Sequence, residues 1–484
     1  MKKIVAFTKI CTLCLFSVVF INCKTSDVNK NTHTEPDTTT TVKTDVVSWL
    51  TSPVQAVFFK KQNIEINFTK SENTYPTILV DTTKTYQTMD GFGFALTGGS
   101  ATLINKLAAK DRTSIIKELF ANDSTNIGIN YLRISIGASD LSSYPFTYDD
   151  IASGQTDLNL ESFSINPETY DLIPVLKSIL AINPNIKILA TPWTAPAWMK
   201  TNTNFSGGSL RTDCYDVYAR YFVKYVQAMK DKGITIDAIT PQNEPLNAYN
   251  NPAMLMSATE QAAFIKNNLG PQFKANNITT KIILYDHNCD NTSYPMSILA
   301  DAETSKYVNG SAFHLYAGDI SALSVVHQAH PDKDVYFTEQ WVGGPGNFAE
   351  DLKWHVKNLI IGAPRNWSKN VIEWNLASDP NYKPHTDGGC STCLGAITIG
   401  TKITRNVGYY IIAHASKFVP DGSVRISSNI IGDLTNVAFL TPSGQKVLIV
   451  LNNHSIAEQR FNIQFKGKYA TATLSPGAVA TYIW

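Results

Sequence analysis

Eight short apolar runs separated by longer stretches of helical periodicity constrain this chain more than any other feature. The runs cover residues 92–97, 131–136, 187–192, 237–241, 281–285, 312–316, 335–339 and 371–375. Helical text occupies several of the gaps, at 111–120, 215–232, 259–269 and 348–361. Parallel strands covered on both faces read as near-continuous apolar runs, and each needs a crossover to reach the next. Eight such units predict an α/β protein built as a (β/α)8 TIM barrel, here over residues 89–415.

The ends of the chain follow a different rule. Residues 54–80 alternate apolar and polar positions, as in Asn63-Ile-Glu-Ile-Asn-Phe68. The same alternation returns over 424–484, in Val447-Leu-Ile-Val-Leu451, Phe461-Asn-Ile-Gln-Phe465 and Ala478-Val-Ala-Thr-Tyr-Ile-Trp484. Alternation marks strands with one buried face. The expectation is a side β-sandwich drawn from both termini, residues 46–88 and 416–484.

In a TIM barrel the active site lies at the C-terminal ends of the strands. Polar and aromatic residues gather at those positions here. The second run carries Arg133, with Asp140 soon after; the third leads into Trp193 and the fourth into Asn243-Glu244. The fifth ends in Asp286-His287-Asn288, the sixth in His314-Leu-Tyr316, the seventh in Glu339 and the eighth in Trp374-Asn375. Two carboxylates delivered by two strand ends, Glu244 and Glu339, suit cleavage of a glycosidic bond, which needs a proton donor and a nucleophile or base. Glu244 is set apart from an ordinary loop charge by Asn243 before it and Pro245 after it. To act as an acid it must carry a proton, so its surroundings should raise its pKa, with the charge of Glu339 contributing. Glu373 is a rival acid, but strand alternation places it and Trp374 on opposite faces. The reading here turns Trp374 inward.

Composition narrows the partners. A formal net charge of +1 gives no sign of the strongly basic face expected for nucleic acid, and no nucleic-acid partner is expected. The 9 histidines show no HExxH and no pair at metal-ligand spacing, so neither a metal nor a cofactor is expected. Met1-Lys-Lys-Ile4 and the apolar stretch behind it read as a secretory signal over 1–22. Cys23 then stands at a lipoprotein cleavage position, and its acylation would make the chain an exported outer-membrane lipoprotein, facing the periplasm or the cell surface. Residues 23–45, rich in Thr, Asn and Asp, read as a flexible tether. Cys390-Ser-Thr-Cys393 lacks the second pair that a zinc site needs; a local disulfide or two buried thiols both fit it.

Several segments together resemble glycoside hydrolase family 30, which includes endo-β-1,6-glucanases and glucosylceramidases. They are Met89-Asp-Gly-Phe-Gly-Phe-Ala-Leu-Thr97, Ala190-Thr-Pro-Trp-Thr-Ala-Pro-Ala-Trp198, Pro241-Gln-Asn-Glu-Pro245, Phe337-Thr-Glu-Gln-Trp341 and Glu373-Trp-Asn-Leu-Ala377. Gly388-Gly-Cys-Ser-Thr-Cys-Leu-Gly395 adds to the likeness. The resemblance implies a retaining β-glycosidase with Glu244 as acid/base and Glu339 as nucleophile. It further implies that Asn243 holds the sugar 2-hydroxyl and that Arg133 supports the nucleophile. Asp140, Trp193, His314, Tyr316 and Trp374 would line the subsite of the attacked sugar. The text around Cys390 looks most like the β-1,6-glucanase branch, so the expected partner is a β-glucan acted on by a monomer. An exo-acting β-glucosidase, a β-xylanase or a β-fucosidase is the alternative within the family, and a non-catalytic glycan-binding lipoprotein is the alternative outside it. Gly98-Gly99 stand where the family often has a polar residue.

Overall fold

The computed structural model describes residues 43–484. The expected signal segment, Cys23 and nearly all of the tether lie outside the described residues. Among the described residues no helix is long and apolar enough to cross a membrane.

All eight expected strands form, at Gly91–Ala95, Tyr131–Ser135, Lys187–Thr191, Ala238–Ile239, Lys281–Cys289, Gly310–Gly318, Asp334–Glu339 and Ser368–Asn375. They pair in parallel, each with its neighbours in chain order, and the eighth returns to the first to close a barrel. Tyr131, Leu189, Ala238, Ile283, Ala312, Tyr336 and Ile372 fill its interior as a separate buried cluster. Helices such as Ala109–Phe120 and Tyr215–Asp231 cover the outside with apolar faces.

Two of the expected helices are not regular. Ala258–Phe264 passes through a π-turn at Ile265–Leu269, and Phe348–His355 through one at Val356–Gly362. Pro271 and Pro364 follow those turns. A proline inside a helix removes one donor and crowds the carbonyl four residues back; a widened turn accommodates both.

The second body is a nine-stranded sheet folded on itself. Strands Val47–Ser52, Val57–Lys61 and Thr77–Thr88 from the N-terminal side join six from the C-terminal side. Thr77–Thr88 links the two layers: residues 77–79 run parallel to Gln459–Phe465, whereas residues 80–88 pair antiparallel to Val424–Ser428 with register shifts. Ile78, Val80, Ile426, Leu448, Phe461 and Ile463 meet in its core. One expectation fails: residues 63–68 are not a strand. Their alternation buries Ile66, but their polar bonds go to Thr44, Asp45 and the Val46 amide rather than into a continuous ladder.

His414, on the helix Val407–Ser416, pegs the barrel to the sandwich. Its Nδ1 lies 2.9 Å from Thr481 Oγ1 and its Nε2 2.8 Å from Thr51 Oγ1. Thr481 already gives its hydroxyl proton to the His414 carbonyl, so Nδ1 donates and Nε2 accepts from Thr51. Burial pushes the imidazole down to about 3, which keeps it neutral. His414→Ala opens a cavity and leaves the buried Thr51 hydroxyl without its acceptor; it should cost about 2–4 kcal/mol in a denaturant titration.

Candidate active site

Two residues beyond the apolar layer of the barrel, on the same inward face, the side chains turn polar. Arg133 follows Tyr131, Thr191 follows Leu189, Thr240 follows Ala238, His314 follows Ala312 and Thr338 follows Tyr336. The fifth strand breaks the pattern. Tyr285 and Asp286 have φ of 75° and 62°, and the ladder to the sixth strand slips between Tyr285 and His287. Such a bulge re-aims side chains. It sends the Asp286 carboxylate into the barrel, where it accepts from Arg133 at 2.8 Å, Thr240 at 2.8 Å and Thr338 at 2.6 Å, with His314 Nε2 at 3.1 Å. The sequence pointed to the polar strand end here but assigned Asp286 no role; nothing in the periodicity announces a bulge.

Above this hub sit the two glutamates. Glu339 Oε2 accepts from Arg133 Nη1 at 2.5 Å, and its Oε1 accepts from the Tyr316 hydroxyl at 2.9 Å. Glu244 Oε1 lies 3.3 Å from His314 Nδ1, and its Oε2 accepts from Asn247 at 2.7 Å. The Glu244 backbone is left-handed, φ 43°, and its N–H donates to the Asp286 carbonyl. A non-glycine residue resists that conformation, so the strand end is held by its neighbours and by Pro245. One oxygen of Glu244, one of Glu339 and one nitrogen of His314 all lie within 4.8 Å of one another. A metal ion can use such a triangle, but in this site Arg133 and a protonated His314 already answer the carboxylate charge.

A cavity of about 450 Å³ opens over the pair. Trp193 and Trp374 stack at 5.3 Å along one wall, and Arg133 lies against both rings. Gln242 fixes Trp193 through its carbonyl. Trp374 faces inward, whereas Glu373 points to the helices and bonds His355 at 2.8 Å. Asn243 Oδ1 accepts from Arg133 Nη2 at 2.7 Å. Asp140 enters from the loop after the second strand and accepts from the Cys390 N–H at 3.2 Å. Cys390 and Cys393 form a disulfide that packs behind the tryptophans and lines the same cavity. Gly98 and Gly99 begin a helix pressed on the Asp140 loop: Gly99 N–H donates to Leu141 O, and a Cβ on Gly99 would come within 2.6 Å of that carbonyl. All the residues expected at the site meet here; Asp286, Asn247, His287 and Trp341 are additions.

Residues 89–419 match the glycosyl hydrolase family 30 TIM-barrel domain, and residues 422–482 match the family's β-sandwich domain. The chain belongs to glycosyl hydrolase family 30. As a member it is a glycosidase that acts on glycans. It is 36% identical over 413 residues to an endo-1,6-β-D-glucanase of Aspergillus fumigatus, covering 79% of this chain and 82% of that one. An endo-1,6-β-D-glucanase of Neurospora crassa is 37% identical over 356 residues, covering 70% and 72%. Among solved structures, an endo-β-1,6-glucanase superposes with a TM-score of 0.85 at 35% identity, covering 91% of this chain and 99% of that one. The strands at Val47–Ser52, Val57–Lys61 and Thr77–Thr88 precede both matched family 30 segments, yet they complete the sandwich sheet.

The charges of this family 30 site depart from the sequence expectation. Burial favours the neutral form of Glu244, but His314, His287 and Asn247 outweigh it and bring the carboxyl down to about 2. Burial likewise opposes charge on His314, yet Glu339, Asp286 and Glu244 carry it up to about 9. Burial raises Glu339, against the pull of His314 and Arg133. Burial and the charge of Glu339 lift Asp140 to about 7. In the free site, then, the proton rests on His314 rather than on Glu244. The linkage has a definite sign. Stability from His314, whose ordinary value is 6.5, is complete below that pH and lost toward about 9. Stability from Glu244, ordinarily 4.5, is complete above that pH and lost toward about 2. Asp140 adds a loss that begins above its ordinary 3.8 and is finished past about 7. The melting temperature should therefore peak between pH 3.8 and 4.5 and fall on both sides, and His314→Gln should flatten the alkaline part of the fall in a calorimetric pH series.

Proposed function

We propose that this protein is a retaining endo-β-1,6-glucanase in which Glu339 is the nucleophile and Glu244 the acid/base. The observation that carries the mechanism is the approach of the two carboxylates to within 4.8 Å. Retention requires roughly 5 Å between them, and inversion roughly 6.5–9.5 Å to admit a water. Arg133, Tyr316 and His314 all present donors or positive charge to Glu339, which favours the carboxylate as attacking group. The substrate assignment rests on the two fungal relatives and the solved structure, each named for β-1,6-glucan.

In this reading the attacked glucosyl lies against Trp193 and Trp374, with Asp140 and the NH2 group of Asn243 meeting its hydroxyls. A sugar over Glu244 strips its water and favours the neutral acid. The proton then passes from His314 Nδ1 to Glu244 Oε1 across 3.3 Å, with no change in net charge. Glu244 protonates the departing oxygen while Glu339 attacks the anomeric carbon. The glycosyl-enzyme has lost the Glu339 charge, and Glu244 next takes a proton from the incoming water.

Glu339→Ala should reduce glucan turnover by more than about 10⁴-fold and recover with azide, giving the inverted glucosyl azide by NMR. Glu244→Ala should lose about 10²–10⁴-fold on β-1,6-glucan yet keep most of its kcat/KM on aryl glucosides with good leaving groups, whose turnover then waits on the second step and recovers with azide. Near-normal glucan cleavage by both variants would remove the assignment. Short oligosaccharides appearing early from β-1,6-glucan support endo action; release of glucose alone favours an exo-enzyme.

The protein is further proposed to be an exported monomer anchored through lipid on Cys23. The basic start, the apolar stretch and Cys23 support the anchor, and the Cys390–Cys393 disulfide suits an oxidising compartment. Incorporation of an alkyne fatty acid that disappears in Cys23→Ser checks the anchor, and light scattering checks the monomer.

A further inference from the structure

The cavity has two unlike sides. One is closed by Trp193, Trp374, Asp140 and the Cys390–Cys393 disulfide. The other is formed by the segment that leaves Glu244: Leu246, Asn247, Tyr249 and Asn250 line it. Leu246 is 45% exposed and Tyr249 92% exposed, although both border a catalytic cavity. An unburied tyrosine ring costs apolar surface that a loop has no packing reason to leave open.

The segment is nevertheless fixed. Asn247 Nδ2 donates to Glu244 Oε2 at 2.7 Å, and Asn247 Oδ1 accepts the Tyr249 N–H at 3.0 Å. One side chain thus ties the acid to the backbone of the exposed aromatic. Two residues on, Asn251 donates to the Asp387 carbonyl at 3.0 Å, and the Asn251 carbonyl accepts from Thr386. Thr386 N–H in turn donates to the Asp140 carbonyl. The Tyr249 segment is therefore stitched to the loops on the closed side of the cavity.

An acid that protonates the glycosidic oxygen has the departing sugar on its own side. We propose that Tyr249, flanked by Leu246, is the platform on which the first sugar of the leaving chain stacks, and that Asn247 keeps this platform in register with Glu244. The ligand is the apolar face of a pyranose in a glucan chain, and the C–H face of the sugar lies on the ring. A phenol-type leaving group carries no sugar C–H face to lay on the ring. The platform thus makes cleavage depend on a chain beyond the scissile bond. The inference rests on Glu244 as proton donor.

The test compares kcat/KM on β-1,6-glucan with kcat/KM on an aryl β-glucoside for the wild type, Tyr249→Ala and Tyr249→Phe. In Tyr249→Ala the glucan-to-aryl ratio should fall about tenfold, with the loss mainly in KM, while Tyr249→Phe stays within about twofold of wild type. A ratio within about twofold of wild type in Tyr249→Ala, or equal damage in Tyr249→Phe, overturns the platform. If the wild type prefers another β-glucan, the same ratio is read on that polymer; a wild type that cleaves aryl glucosides but no glycan chain also overturns it. Failure of the underlying reading looks different: Glu244→Ala then keeps its glucan turnover. Because Tyr249 is almost fully exposed, loss of fold does not confuse the result.

Discussion

Arg133 is the interaction around which the site is arranged. Its guanidinium has no solvent contact, and an unpaired cation in a barrel interior is prohibitively costly. The fold answers with Asp286 from the fifth strand, Glu339 from the seventh and Asn243 Oδ1 beyond the fourth. The rings of Trp193 and Trp374 flank it. Six of the eight strands thus deliver a neighbour to one buried charge or, in the case of the second, carry it. Positions that the reaction needs are set by the requirement to neutralise that charge.

Three carboxylates and two cations in one small volume also explain where the proton sits. His314 touches Asp286 with one nitrogen and faces Glu244 and Glu339 with the other. Protonating it balances the cluster at least distance, and Glu244 is ionised as a consequence. Under the proposed mechanism, an acid that is anionic at rest has its proton one hydrogen bond away, on His314 at 3.3 Å.

The barrel was legible because its strands are buried on both faces and their polar residues sit at one end, which locates Glu244, Glu339, His314 and Trp374 without coordinates. Trp374 rather than Glu373 faces inward by simple alternation. Alternation is also where the reading breaks. Asp286 reaches the interior only because two residues with positive φ shift the fifth strand out of register, and a bulge leaves no periodic trace. Residues 63–68 alternate like a strand but bond largely to side chains. The charge state of Glu244 depends on the orientation of His314, a tertiary fact. Tyr249, as one tyrosine in a polar loop, becomes noticeable only when the cavity beside it is seen.

The sandwich sheet places the earliest described strand beside the last one. Val47–Ser52 pairs along its length with Val479–Ile483, and His414 docks on one threonine from each. A chain made from its N-terminus therefore carries Val47–Ser52 beside Val57–Lys61 but without its second partner until the barrel between them has been made. The contact joins strands on either side of the whole barrel, and non-local pairing is slow to form. The barrel waits only for its eighth strand to return to the first; its other strands pair in sequence. The sandwich sheet therefore closes, and His414 finds both hydroxyls, only after the barrel that lies between its strands in the chain has been made.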